Sequence, residues 1–296
     1  MKYFFYPGCS METSALEYKR STMAVLETLG AEVEEIPDWT CCGASAASVV
    51  SALLGHVLPA RNLALAEQID EDRTIIAGCS ACYTNFQRTH EAVSQDRALL
   101  EQINRALEVE DLTYRGRAQV RHLMDVLAND FSRQEIASHV QRPLTDLVVA
   151  PYYGCQTVRP FSPYDDDQAP TSMLPVLEAL GATIHRHTHE ASCCGTSLLM
   201  TKQDVGVNMV AEILDACEGA DCVVTVCPMC QLNVEGYQDK VSKVLGRQVN
   251  VPVLFLPQLM ALAFGLPDDV LMFGRHMVSV KPVLSRLEQA TPVAAG

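Results

Sequence analysis

The sequence predicts an α/β protein of two pseudo-symmetric repeats, each a small, mostly parallel sheet with helices and one cysteine cluster. Three observations predict it. One cysteine pattern is written twice: Cys9, Cys41-Cys42-Gly43 and Cys79-x-x-Cys82, then Cys155, Cys193-Cys194-Gly195 and Cys227-x-x-Cys230. Flanking residues repeat as well: "YPGC" with "YYGC", "LETLGA" with "LEALGA", "CSACYTN" with "CPMCQLN". That is a two-fold duplication rather than a solenoid. Finally, short apolar runs alternate with helical segments, the order that gives a parallel sheet with helical cover.

Taken in order, "KYFFY" (2–6) and "DLVVAPYY" (146–153) read as buried strands that end just before Gly-Cys. Helices follow over 15–29 and 172–180, with Gly30 and Gly181 as C-caps. The strands "AEVEEI" (31–36) and "ATIHRH" (182–187) lead to each CCG. A helix over 47–69, interrupted at Pro59, matches one over 202–217. The strands "RTIIAG" (73–78) and "DCVVTV" (221–226) run into each CxxC, and helices over 81–94 and 229–244 follow. "VRHLMDVLA" (120–128) and "FLPQLMALA" (255–263) close the repeats as helices. The repeats are placed at 1–144 and 145–275, with the boundary near 142–146. A tail over 276–296 ends in "QATPVAAG", which reads as disordered. "PFSPYDDDQAP" (160–170) reads as a solvated loop before a helix cap at Thr171 or Ser172.

The 296 residues are 48% hydrophobic and carry a net charge of −14, which excludes disorder and disfavours nucleic acid and anionic membranes as partners. The N-terminus has one Lys and an apolar run broken by Pro7 and Gly8, unlike a signal peptide. "VPVLFLPQLMALAFGLP" (251–267) contains Gln258 and three prolines, unlike a spanning helix. A cytoplasmic protein is expected, free or peripheral to a membrane complex. Twelve cysteines in that setting point to metal or redox chemistry rather than disulfides.

Ten of the twelve belong to the repeated pattern: Cys9, Cys41, Cys42, Cys79 and Cys82 in one half, Cys155, Cys193, Cys194, Cys227 and Cys230 in the other. Zinc takes four ligands in a tetrahedron, and a cubane iron–sulfur cluster takes four thiolates. Five per half leaves either one spare or an opened cluster on which two adjacent sulfurs reach neighbouring irons. Gly43 and Gly195 allow close backbone approach there. A CxxC at a helix start adds N–H groups and a positive dipole end.

These motifs resemble the CCG (cysteine-rich) domain family of heterodisulfide reductase B subunits, archaeal or bacterial, from Cys9 to about Pro267. "YYGCQTVRP" followed by "DDDQAP" strengthens the resemblance. It implies a non-cubane [4Fe-4S] cluster on each set of five cysteines, with zinc or a cubane [4Fe-4S] as the alternative at one site. It also implies an oxidoreductase acting on sulfur groups, by two-electron reduction or reverse oxidation of a disulfide. Such a reaction takes two electrons while clusters pass one at a time, so paired sites suit it. No G-x-G-x-x-G, P-loop or ferredoxin-type C-x2-C-x2-C run is present. The resemblance therefore implies two partners, a ferredoxin-like protein (the C subunit) and a flavoprotein (the A subunit). The alternative is a CCG-domain electron-transfer or anchor subunit of a lactate/glycolate, glycerol-3-phosphate or succinate dehydrogenase-type complex.

The remaining candidates carry less. His185, His187 and His189 alternate along the expected strand 182–187 and its continuation, an exposed edge-strand face, and only His189 stands out as a possible proton donor to a leaving thiolate. Cys217 and Cys222 read as buried small hydrophobes, and the eleven methionines as core filler. Tyr152 and Tyr153 read as strand packing. Ser45 and Ser197 read as helix caps or donors to cluster sulfur.

Overall fold

The computed structural model describes residues 1–44 and 46–290. Its strands form two four-stranded sheets in which every pairing is parallel. The first contains β1 (Lys2–Tyr6), β2 (Glu32–Glu35), β3 (Ile75–Ala77) and β4 (Val120–His122), ordered β2-β1-β3-β4. The second contains β5 (Val148–Tyr152), β6 (Thr183–Ile184), β7 (Cys222–Thr225) and β8 (Val253–Phe255), ordered β6-β5-β7-β8. The expected duplication is thus a duplication of topology.

The central strands read as unbroken apolar runs because helices cover both of their faces. Along β1, Tyr3 and Phe5 enter a core shared by the two repeats, while Phe4 and Tyr6 enter the first repeat's own core. Along β5, Val149 enters the shared core while Ala150 and Tyr152 enter the second repeat's own. In the shared core the helices Leu16–Thr28 and Leu256–Ala263 pack together, and Tyr18 stacks flat on Phe255 with ring centroids 4.1 Å apart. Each sheet therefore completes its inner face only against the other repeat. The helix Lys281–Ala290 adds Val283 and Leu287 to the same core, so this part of the expected tail is anchored through those two side chains. Of the expected disordered end "QATPVAAG", residues 291–296 lie outside the described residues. Among the described residues, no helix is long and apolar enough to cross a membrane.

Several expectations are corrected. The closing segments are not helical throughout: each begins as an edge strand, β4 or β8, and becomes helical at Leu123 or Leu256. Three residues are too few to show a period, and only the neighbouring strand makes them extended. The helix over 47–69 breaks at 51–53 rather than at Pro59, which sits inside Leu54–Asp70. Ser51 is extended there, and its hydroxyl accepts from Leu54 N at 3.4 Å, a local bond that competes with helix continuation. The helix over 229–244 splits at Tyr237 into Pro228–Gly236 and Gln238–Leu245. The Met277 side chain packs into the space left by Gly236 at that break. Finally, no Thr171 or Ser172 side chain caps the helix Leu174–Ala179. The Asp165 carboxylate instead accepts from Thr171 N and Ser172 N, at 2.8 and 2.9 Å. The acidic loop is thus a structural brace.

Candidate functional site

Every repeated cysteine follows the C-terminal end of a strand. Cys9 comes after β1, the Cys41-Cys42 pair after β2, and Cys79 after β3; the second repeat copies this with β5, β6 and β7. In the order β2-β1-β3-β4, connections leave β1 and β3 in opposite directions, which opens a crevice at that edge of the sheet.

Gly8 and Gly154 bring the chain close to that crevice. Both adopt left-handed backbone, with φ +67° and +72°. A Cβ at Gly8 would stand 3.1 Å from Cys82 Sγ, and one at Gly154 only 2.7 Å from Cys230 Sγ. The segment before each pair of adjacent cysteines is clamped from both sides. Tyr6 donates its hydroxyl to Thr40 O at 2.7 Å, and Tyr152 to Ser192 O at 2.8 Å. Asn85 donates to Cys42 O, and Asn233 to Cys194 O. Tyr152 is therefore more than strand packing, and Tyr153 accepts from Met173 N at 2.8 Å.

The adjacent cysteines, hydrogen-bonded to each other in the first site, each reach a different further sulfur. Cys41 Sγ lies 3.9 Å from Cys9 Sγ, while Cys42 Sγ lies 3.3 Å from Cys82 Sγ. The second repeat pairs Cys193 with Cys155 and Cys194 with Cys230 in the same way. Cys9 and Cys41 are exposed and Cys155 and Cys193 half-buried, whereas the other six are buried. Each site thus has an open outer pair and a dry inner trio. Gly43 N and Gly195 N donate to Cys41 Sγ and Cys193 Sγ at 3.5 and 3.4 Å. Cys79 and Cys227 occupy the N-cap positions of the helices Ser80–Gln95 and Pro228–Gly236, where helix-end N–H groups favour thiolates.

The touching sulfurs share protons unequally. Hydrogen bonds from Cys41 and Cys82 push the Cys42 thiol down to about 4, and the bond from Cys155 takes Cys193 down to about 6. Their partners Cys41, Cys82 and Cys155 are pushed up by the same contacts. A metal entering either site would displace those shared protons. The donor set is all-thiolate and soft, which suits iron–sulfur centres or zinc. Among the described residues, no three His, Cys, Asp or Glu side chains are spaced for a single metal ion. Five sulfurs spread from an outer pair to an inner trio fit a centre of several metals.

The two sites meet. Cys79 and Cys227, one from each repeat, are hydrogen-bonded through their sulfurs. Tyr18, fully buried, places its hydroxyl 2.9 Å from Gly78 O and 2.8 Å from Val226 O, the carbonyls just before those two cysteines. Beside them runs a buried polar chain. His122 Nε2 is 3.1 Å from Ser80 Oγ, which is 2.7 Å from Thr157 Oγ1 in the other repeat. Burial holds His122 down at about 4, so it is neutral. Thr196 Oγ1 is 3.0 Å from Cys194 Sγ.

Sequence reasoning missed Tyr18, Ser80, His122, Thr157 and Thr196. The two asparagines were visible in the repeated "CSACYTN" and "CPMCQLN" but given no role. Ser45 lies outside the described residues, and Ser197 is exposed while its neighbour Thr196 approaches the sulfur. The three histidines do not form an exposed strand face. β6 ends at Ile184, and all three rings are half-buried. His185 Nε2 pairs with Ala216 O at 3.0 Å, His187 Nε2 with Pro151 O at 2.9 Å, and His189 Nδ1 with Ser192 Oγ at 3.2 Å. Backbone carbonyls there take up the first two rings. Cys217 and Cys222 are both fully buried.

Comparison with known proteins agrees with this architecture. Residues 3–87 and 149–235 each match the CCG cysteine-rich domain family. The chain is 35% identical over 281 residues to the 8-methylmenaquinol:fumarate reductase membrane anchor subunit of Wolinella succinogenes, covering 94% of this chain and 97% of that one. It is 26% identical over 293 residues to the B subunit of ferredoxin:CoB-CoM heterodisulfide reductase from Methanosarcina mazei, covering 97% of each. A hypothetical protein from Helicobacter pylori shares the fold, with a TM-score of 0.75 at 18% identity; the match covers 94% of this chain and 52% of that one.

Proposed function

Because this chain belongs to the CCG cysteine-rich domain family, with one copy in each repeat, we propose that it is the iron–sulfur electron-transfer subunit of an oxidoreductase complex, and that its two sites reduce or form a disulfide. Cys9, Cys41, Cys42, Cys79 and Cys82, within 1–144, would hold one non-cubane [4Fe-4S] cluster. Cys155, Cys193, Cys194, Cys227 and Cys230, within 145–275, would hold the other. Bound there, each cluster supplies one-electron transfer and an iron with room for a substrate sulfur.

The observation that carries this reading is the meeting of two complete five-thiol sites at Cys79 and Cys227. Two electrons are needed to cleave a disulfide, and two adjoining one-electron sites can deliver them together. The open pairs, Cys9 with Cys41 and Cys155 with Cys193, leave a solvent-facing side to each site. The inner trios stay dry, so Tyr18, Asn85 and Asn233 hold the ligand backbone without competition from water. Electrons would come from the ferredoxin-like and flavoprotein partners in the cytoplasm. His189 remains the proposed proton donor, beside Ser192 at the edge of the second site.

Anaerobic iron, sulfide and zinc analysis with EPR of thiol-treated, oxidised protein tests this. About eight irons per chain and a thiol-dependent signal support it. Zinc without iron overturns it. A second reading is favoured by the 35% identity to a fumarate reductase anchor subunit: electron transfer or anchoring in a quinol- or dicarboxylate-linked complex. Co-purified subunits that reduce fumarate and no disulfide would select it.

A further inference from the structure

We propose that the two cysteine sites are electronically unequal, and that the site of Cys155, Cys193, Cys194, Cys227 and Cys230 has the higher reduction potential because Ser80, Thr196 and Arg159 attend its sulfurs. This rests on the iron–sulfur reading above and extends it to residues outside the cysteine pattern.

The pseudo-two-fold sets a control for every neighbour. Counting from the matched cysteines and strands, Ser80 corresponds to Pro228, His122 to Phe255, Thr157 to Met11, Thr196 to Ala44 and Arg159 to Thr13. Hydroxyls, an imidazole and a guanidinium thus attend the second site, where the first has Pro, Phe, Met, Ala and a Thr hydroxyl turned to Cys9 O.

The neighbours of His122 and Thr157 fix how the hydrogen bonds around Ser80 run. Met124 N donates to His122 Nδ1 at 3.1 Å, so the ring proton sits on Nε2 and goes to Ser80 Oγ. Thr157 donates its own hydroxyl to Tyr153 O at 2.7 Å. The Ser80 proton is then left for Thr157 Oγ1 or for the sulfur of Cys227, with which Ser80 is hydrogen-bonded. Ser80 belongs to the first repeat, yet it serves a ligand of the second. Thr196 Oγ1 lies 3.0 Å from Cys194 Sγ and 3.3 Å from Met229 O, so its one proton has two acceptors and favours the sulfur when that is a thiolate, and Arg159, anchored on Asp167 O and Ala191 O, lends its charge to Cys193.

Donors and cations beside ligand sulfurs stabilise the electron-rich reduced state and raise the potential. One difference opposes this: Cys9 and Cys41 are the more exposed outer pair, and water there also favours reduction. The inner trios are equally dry in both sites, at 2–6% exposure, so fixed donors act there without dilution by solvent.

The test uses the full chain, loaded with iron and sulfide anaerobically, with metal counted and EPR followed through a redox titration. Two separate one-electron steps are expected. Ser80→Ala and Thr196→Ala should each lower the upper step and leave the lower one in place. Each tenfold change in the reduced-to-oxidised ratio corresponds to about 59 mV. Ala44→Thr, at an exposed position, adds to the first site the hydroxyl that Thr196 supplies to the second, and should raise the lower step. With both sites filled, a single step, or a Ser80→Ala shift in the lower step or in neither, overturns the inequality and leaves the cluster reading intact. Iron content near zero sinks the cluster reading and this inference with it.

Discussion

Gly154→Ala, set beside Gly246→Ala, tests whether a glycine stands there to admit a ligand sulfur. At Gly154 the φ of +72° with ψ of 174° lies in a region that essentially only glycine enters, which strains an alanine by about 1–3 kcal/mol. Gly246 also has positive φ, +66°, but with ψ of 15°, the ordinary left-handed well, and it ends the helix Gln238–Leu245 with nothing within 4 Å of an added Cβ. Gly246→Ala therefore bears a milder strain, about 1–2 kcal/mol, and displaces nothing. At Gly154 the new methyl would also stand 2.7 Å from Cys230 Sγ. Relief to ordinary contact requires a shift of about 0.7 Å in a close-packed interior, several times the ~0.2 Å tolerance of a metal–ligand bond. Gly246→Ala should lose about 1–2 kcal/mol in urea unfolding of the metal-free protein, and Gly154→Ala more than that. Only Gly154→Ala should also lose roughly half its iron after anaerobic loading, because one of two sites is disturbed. Full iron content and an unchanged EPR spectrum in Gly154→Ala would refute the claim that glycine stands there to admit the sulfur.

Tyr18→Phe keeps the stack on Phe255 but removes the hydroxyl from two buried carbonyls, and should cost about 1–3 kcal/mol by chemical denaturation. His122 gives a pH dependence. Its folded pKa of about 4 lies below the ordinary 6.5, so below 6.5 the unfolded chain binds a proton that the fold refuses. Stability present above pH 6.5 should fall by up to about 3 kcal/mol as pH drops towards 4, and His122→Phe, with the residue of the matching strand, should flatten that slope in urea titrations at several pH values. Cys217→Ala should leave iron content unchanged and lower stability only modestly, since Cys217 touches His187 rather than any cluster cysteine; lost iron would show that it belongs to a site.

The ten cysteines and their grouping were legible because the duplication writes them twice, and each CxxC could be placed at a helix start from the apolar run before it. β4 and β8 were not legible. At three residues each, they are strands only because β3 and β7 supply hydrogen-bond partners. The bracing role of Asp165 was hidden in what looked like a solvated loop, since its backbone partners lie six and seven residues ahead.

The sequence by itself determined the duplication, the parallel α/β class and which thiols form each set, since spacing and alternation are local properties of the chain. Only the tertiary structure decided how the sets are used. Cys41 and Cys42 are neighbours of which one is exposed beside Cys9 and the other buried beside Cys82, an arrangement held by Tyr6 on Thr40 O and Asn85 on Cys42 O. Cys79 and Cys227, 148 positions apart in the chain, meet because Tyr18 and Phe255 join the repeats in one core. The polar chain from His122 to Thr157 crosses that join, and no spacing announces it, because burial and contact between distant segments are properties of the packed fold.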